Sequence, residues 1–485
     1  MRSRKEYIES LRDGREVYFK GQRVADVTAH PEIRLAIEHA AIDYDMAHDP
    51  AWRSLAVAGE KVEHGESGEP YSRYFKLPRN SGDLLDRSRL IEAATTLGGT
   101  LVVLIKEIGT DALFALHLVA HALDQRKGTH YLDRVRMFHT YARDHDLALS
   151  VAQTDVKGDR SQSPLEQEHP DYYLRVVRET PEGIVVRGAK VHTSVSVNSN
   201  EMIVLPTRAM KADEAAYAVA FAVPLNTKGL KLITSAYGSH HDDSAFDAPL
   251  ASRHRMMETL TIFDDVLVPH DRVFLNGEWE FAGELAKTFV EFHRFTAISY
   301  KLPLVDSLAG AAHLMAQYNG IERVKHVQEK LAKLVGYGET LRALIRLAAL
   351  DAKPGALGIT IPKPLLVNMA KLHFATQYHQ MLAYVQDIAG GLIATGPSEA
   401  DLQNPVTGPY VRRYLGGRKG VPVEHRLKAI NLVKELTATD FAGYQAVLAI
   451  HAEGSIEAEK LAMVREHDSA RCIALAKQLA GISEP

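Results

Sequence analysis

Several short stretches carry side chains with chemical reach. Gln153-Thr-Asp-Val-Lys-Gly-Asp-Arg-Ser161 follows an apolar run ending at Val151, so an extended segment feeds a tight polar loop. Its cations Lys157 and Arg160, with a turn permitted by Gly158, suit a pyrophosphate or the edge of a flavin ring; Gln153, Thr154 and Asp159 flank them. Downstream, Gly188-Ala-Lys-Val-His-Thr-Ser194 offers small and hydroxyl residues, Thr193 among them, that let a flat ring approach the backbone. His240-His-Asp-Asp243 combines imidazole and carboxylate, which zinc or iron accept as ligands. Adjacent loop side chains point apart, however, and no second His/Glu pair at helical spacing backs them. His240 and His241 are therefore expected in a substrate-facing loop, and no metal is expected. His293, in Phe292-His-Arg294 on a predicted helix, is either a core histidine with a partner or an imidazole available for proton transfer.

The elements that position these residues change character along the chain. Residues 1–145 have apolar residues at spacings of three and four and read as a helical domain. Residues 146–277 switch to short β-branched runs with frequent turn signals, an all-β unit of barrel-like or sandwich type. Within it, 172–177 and 183–187 flank Glu179-Thr-Pro-Glu-Gly183 and read as a hairpin. Residues 278–485 return to helices long enough for an antiparallel bundle, with spans expected at 279–300, 304–319, 324–352, 364–388, 425–438 and 455–479.

The 485 residues include 46% apolar and 24% charged side chains, ordinary globular material. A net charge of −4 excludes a global positive field for nucleic acid or an anionic membrane. A single cysteine, Cys472, excludes an intrachain disulfide framework and fits a cytoplasmic enzyme. Neither a signal-peptide pattern nor a membrane-spanning apolar run is present, and neither Gly-x-Gly-x-x-Gly nor a P-loop occurs.

Taken together, Gln-Thr-Asp-x-Lys-Gly-Asp-Arg-Ser, Asp171-Tyr-x-Leu-Arg-Val-Val177, Phe263-Asp-Asp-Val-Leu-Val-Pro269, Phe292-His-Arg294 and Ala389-Gly-Gly-Leu392 resemble the 4-hydroxyphenylacetate 3-hydroxylase superfamily, and most nearly its 4-hydroxybutyryl-CoA dehydratase branch. The resemblance runs over nearly the whole chain. It implies an α+β, acyl-CoA-dehydrogenase-like fold with FAD between the β domain and the bundle, in a homotetramer. It also implies that the 153–160 loop and Thr193 contact the flavin. His451-Ala-Glu-Gly-Ser455 resembles the family's small-residue turn at the flavin, with Gly454 and Ser455 as contacts. The residue matching His293 is an iron ligand and proposed base in the dehydratase branch, and the glutamate matching Glu258 is implicated in its catalysis.

The departures narrow the chemistry. The branch's three cluster cysteines fall on Leu104, Ile108 and Tyr300, so no iron–sulfur cluster is expected. The phenolate-binding set of the hydroxylases falls on Ile108, Ala112 and Val151. Ile108, Val151 and Tyr300 are then candidate substrate neighbours, and Lys106 and Glu107 stand where new polar groups can act. The reading is an FAD-dependent monooxygenase for a small organic or aromatic substrate, with FADH2 from a separate flavin reductase and His293, Glu258 and Lys106 as catalytic candidates. Its alternative is a cluster-free isomerase or lyase acting on an acyl-CoA-like thioester; a catalytically silent scaffold is the third possibility.

Overall fold

Alternation of buried and exposed residues is clearest in Glu258–Pro269, where Thr259, Thr261 and Phe263 point inward and, past a bulge, Val266 and Val268 do so again. That strand organises the middle of the chain. The computed structural model describes residues 1–59, 68–235, 238 and 240–482. Its main strands are β1 (Glu16–Phe19), β2 (Gln22–Val24), β3 (Leu149–Ala152), β4 (Arg175–Thr180), β5 (Gly183–Ser194), β6 (Glu201–Val204), β7 (Val219–Pro224), β8 (Leu230–Thr234), β9 (Glu258–Pro269) and β10 (Val273–Asn276). One sheet has the order β2-β1-β8-β9-β5-β4 and a second the order β10-β7-β6-β3. Both are open, and Phe221 of β7 meets Phe263 of β9 edge-on between them at 5.9 Å.

The hairpin read from the sequence exists as β4 and β5. The helical reading of 1–145 lacks one feature: β1 joins the middle sheet, pairing in parallel with β8 from Glu16↔Lys231 to Phe19↔Thr234. Strands of four and three residues are too short for a period-two signal to stand out from flanking helices.

The helices that frame the site are α1 (Pro31–Ala40), α2 (Ser81–Leu97), α3 (Glu107–Lys127), α4 (Trp279–Asn319), α5 (Lys325–Leu350), α6 (Pro364–Ala389), α7 (Val423–Thr437), α8 (Asp440–His451), α9 (Ile456–Glu466) and α10 (Ser469–Leu479). The break expected between 300 and 304 is absent: α4 runs 41 residues through Pro303. A proline removes one helical hydrogen bond, but burial of Leu302, Leu304, Val305 and Leu308 holds the helix on course. Conversely, the single helix expected over 455–479 is split. Ser455 accepts from the Ala458 amide to start α9, and Asp468 accepts from the Ala470 amide to start α10.

Helix α3 lies directly on β3, because a Cβ at Gly109 would sit 2.2 Å from Cβ of Leu149. Only glycine permits that approach. Among the described residues no helix is long and apolar enough to cross a membrane.

Candidate active site

Helix α4 carries His293, Thr296 and Tyr300 at spacings of three and four, one above another on a buried face. His293 Nδ1 lies 3.2 Å from Oδ2 of Asp111 on α3, and its ring stacks on Phe289 at 5.2 Å and 9°. The other oxygen of Asp111 accepts from Arg87 Nη2 at 2.7 Å and Thr296 Oγ1 at 2.9 Å. A carboxylate fixed on one side by two donors holds the imidazole in a single orientation. His293 Nε2 makes no hydrogen bond to any described residue.

One helical turn further on, α4 meets the turn between α8 and α9. Lys301 Nζ lies 2.9 Å from Oε2 of Glu453, the Tyr300 hydroxyl donates to Oε1, and Lys371 Nζ of α6 stands 3.6 Å away. Arg294 Nε donates to the Glu453 carbonyl at 2.8 Å. The turn needs its glycine: Gly454 has φ +110°, and a Cβ there would lie 2.3 Å from Nη2 of Arg294. Burial alone would raise the Glu453 pKa, but Lys301 and Lys371 outweigh it and hold it down to about 2. Burial pushes Lys301 the other way, down to about 8, although Glu453 opposes it.

Glu258, at the start of β9, accepts from Ser194 Oγ at 2.8 Å and from the Tyr444 hydroxyl at 2.6 Å. Burial raises its pKa above the usual carboxylate range, against the pull of those two donors. Tyr300 touches Glu453 and lies within electrostatic reach of the other two carboxyls, Glu258 and Asp111. Burial first, then Glu453, raises the phenol's pKa well above its ordinary value, and Glu258 and Asp111 act on it in the same direction.

The description "4-hydroxyphenylacetate 3-hydroxylase N terminal" matches residues 3–275, and its C-terminal counterpart matches residues 282–481. The chain belongs to the 4-hydroxyphenylacetate 3-hydroxylase family. It is 31% identical to the 4-hydroxybutyryl-CoA dehydratase/vinylacetyl-CoA-Delta-isomerase of Clostridium aminobutyricum, over 98% of this chain and 99% of that one. It is also 31% identical to the oxygenase component of 4-hydroxyphenylacetate 3-monooxygenase from Thermus thermophilus, over 91% and 89%. Among solved structures, the archaeal 4-hydroxybutyryl-CoA dehydratase from N. maritimus superposes with a TM-score of 0.92 at 32% identity, covering 100% of this chain and 96% of that one. A 4-hydroxyphenylacetate 3-monooxygenase oxygenase component complexed with FAD gives 0.90 at 28% identity, with 100% of both chains covered.

In this member of the 4-hydroxyphenylacetate 3-hydroxylase family the 153–160 loop is held from inside. The Gln153 carbonyl accepts from Lys190 Nζ at 2.9 Å, the Thr154 carbonyl accepts from the Val191 amide at 2.9 Å, and Gln167 accepts from the Asp159 amide at 2.9 Å. A Cβ on Gly158, whose φ is +54°, would press on Gln167 and Tyr172. Thr193 turns its hydroxyl inward to Thr259 and Thr261, so what it contributes at the sheet surface is main chain. The bulge beside it exposes His192. Burial first, and then Lys157, His451 and Arg160, lower the pKa of His192, so the two cations of the loop lie within electrostatic reach of an imidazole held toward its neutral form.

Other candidates lie apart from this cluster. Lys106 is fully buried, ion-paired to Asp146 at 2.7 Å and set 3.9 Å over the Tyr44 ring. It is a core cation, neither a surface lysine nor a partner of His293, and Glu107 beside it is equally buried. Ile108 and Val151 are packed core side chains with Ala112. His240 bridges Asp243 at 2.7 Å and Asp440 of α8 at 2.8 Å, and His241 reaches Glu32 of α1 at 2.6 Å. The expected substrate-facing loop is thus a clamp tying the middle of the chain to α1 and α8, because every imidazole nitrogen of the pair is engaged by a carboxylate. Among the described residues no group of three or more potential ligands can hold a metal.

The clamp has a pH signature. The hydrogen bond to Asp440, ahead of opposing burial, raises His240 to about 9. A raised folded pKa stabilises fully below the unfolded value near 6.5, and that contribution is lost as pH rises through about 9. We expect the melting temperature to fall between pH 7 and 10 more steeply in the native chain than in His240→Gln. Parallel curves would remove the clamp's role.

Sequence reasoning missed Asp111, Ser194 and Tyr444 as partners, and Lys301 entirely. Two of the four had a signal, adjacency: Lys301 follows Tyr300, and Ser194 follows Thr193.

Proposed function

We propose that the chain is a flavin-dependent enzyme that holds FAD between the middle sheets and the C-terminal helices and moves a proton on a small carbonyl-activated substrate of the acyl-thioester class. The observation that carries this is that one buried face of α4 holds His293, oriented by Asp111, two turns from Tyr300 and Lys301, which are bound to Glu453. Lys157 and Arg160 of the glycine-broken loop supply the positive charge a diphosphate needs, and Gln153, Thr154, Gly158, Asp159, Thr193, Gly454 and Ser455 are the further flavin contacts of this reading. Bound FAD supplies an electron acceptor beside these groups.

The chain's own residues divide the work. His293 Nε2 takes a proton from the carbon next to the carbonyl, while Asp111 at Nδ1 fixes the tautomer and stabilises the imidazolium. Lys301 is a donor for a carbonyl oxygen that gains negative charge, while the Tyr300 hydroxyl donates to Glu453 and holds it beside Lys301. Glu258, inclined toward its neutral form by burial, returns a proton at the other end of the shifted double bond. Apolar Ile108, Ala112 and Val151 offer nothing to a phenolate, which favours this reading over phenol hydroxylation.

A second reading is a monooxygenase working on reduced flavin from a separate reductase, favoured by the likeness to oxygenase components, one of them complexed with FAD. Assembly as a homotetramer accompanies either reading. Anaerobic incubation with FAD and a vinylacetyl-CoA thioester separates them: double-bond migration without oxygen is expected, whereas turnover strictly dependent on oxygen and reduced flavin supports the monooxygenase. Thermal stabilisation by FAD with neither activity would leave a scaffold.

A further inference from the structure

The cluster around Glu453 contains one group that the mechanism above does not use. Glu459, on the first turn of α9, is 0% exposed, and neither carboxylate oxygen has a hydrogen-bond partner among the described residues. A buried carboxyl without donors is costly when ionised and inexpensive when protonated. Its surroundings come from three elements: Lys371 of α6 at 4.0 Å, Arg294 and Lys301 of α4, and Glu453 in the turn before its own helix. Lys371 donates to the Ala449 carbonyl at 2.9 Å, which keeps its ammonium between the two glutamates.

Three cations therefore face two carboxylates of opposite character. Glu453 is solvated by Tyr300 and Lys301 and stays ionised; Glu459 has the same cations at longer range and no donor. Lys301, Glu453, Lys371 and Glu459 stand in a row at 2.9, 3.6 and 4.0 Å, the first step a hydrogen bond and the other two ion-pair distances.

We propose that Glu459 is the proton store of this site, a positioning residue that sets the protonation of Lys301 through Glu453 and Lys371. In the exchange, the Lys301 ammonium loses one N–H bond, the Glu459 carboxylate gains one O–H bond, and protons shift by one place at Glu453 and Lys371, leaving both unchanged, with the Lys371 ammonium moving from its 3.6 and 4.0 Å positions into hydrogen-bond contact with each glutamate in turn. Net charge is conserved and no electrons move. Lys301 then faces the substrate as a neutral amine able to accept a proton, and the return step makes it a donor again. Burial, opposed by Lys371 and Arg294, raises the Glu459 pKa to about 7, which makes both states accessible near neutral pH. The role in turnover rests on the proton-transfer reading above; the titration itself does not.

The test uses the whole chain without substrate. Infrared difference spectra between pH 6 and 8 are expected to show a carboxylic-acid carbonyl band in the native protein that disappears in Glu459→Gln. Glu459→Asp, which keeps the acid, serves if the amide variant does not fold and should move the band. In turnover, Glu459→Gln is expected to flatten the pH profile over that range while FAD affinity stays within about twofold, since a fixed neutral side chain cannot exchange the proton. A band that persists unchanged in Glu459→Gln, or a native protein with no carboxyl titrating between pH 6 and 8, overturns the proposal. An assigned band together with strictly oxygen-dependent turnover would instead keep the proton store and remove the proposed isomerisation.

Discussion

His293→Gln is expected to lower turnover by about 10² or more while leaving the fold and flavin affinity in place, the usual scale for losing a general acid or base. Glutamine is close in size to histidine and can still donate to Asp111, so the Arg87–Asp111–Thr296 group keeps its contacts. What it cannot do is accept a proton near neutral pH. Turnover per folded molecule and unfolding in denaturant should be measured on the same preparation. Were His293 only a core residue, the signs would reverse: stability would fall by roughly 1–3 kcal/mol for the disturbed buried contact, and activity would hardly change. That outcome would leave proton transfer to Glu258 and Lys301.

Glu453→Gln should give the largest stability loss of any conservative change in the cluster. It strips the counter-charge from Lys301 and Lys371, both buried. Leaving one partner of a buried pair uncompensated costs about 3–5 kcal/mol. Lys301, already held near 8 by burial, would be driven further toward the neutral amine. Adding Lys371→Met should recover part of the loss, because one uncompensated charge is then gone. In the native chain the same contact has a definite pH window. A depressed carboxylate contributes fully above its unfolded value near 4.3, and that contribution disappears as pH falls toward about 2. Guanidinium unfolding at neutral pH decides the matter: an unchanged midpoint for the single variant would mean that Glu453 does not neutralise the lysines.

The architecture was legible because long periodic segments dominate it. The bundle helices and the 183–187 part of β5 declare themselves through apolar spacing and β-branched content, whereas the continuation of β5 to Ser194 does not. What was not legible depends on contacts across the fold. Pro303 reads locally as a stop, yet neighbours on several sides carry α4 past it. Lys106 and Glu107 read as polar groups free to act because nothing local announces that Asp146 and Arg87 meet them inside. The site residues divide the same way. His293 and Glu258 stood out through their motifs, whereas Asp111 lies in Gly109-Thr-Asp-Ala-Leu113, where its only distinction is spatial. His240 and His241 attracted attention by composition, and composition cannot tell a substrate loop from a structural clamp.

The parallel pairing of β1 with β8 governs how the molecule is made. Joining Glu16 to Lys231 closes a loop of roughly two hundred residues, and the entropy of that closure must be met before the contact contributes anything. Pairings of such high sequence separation slow folding. Until the opening hairpin docks, β8 presents unpaired amides and carbonyls along one edge of the sheet that also carries Thr193 and Glu258. Such an edge invites pairing with another chain. The first two dozen residues, none of them among the reacting groups, thus act as the cover for an adhesive edge, and a chain lacking them is expected to be lost to aggregation.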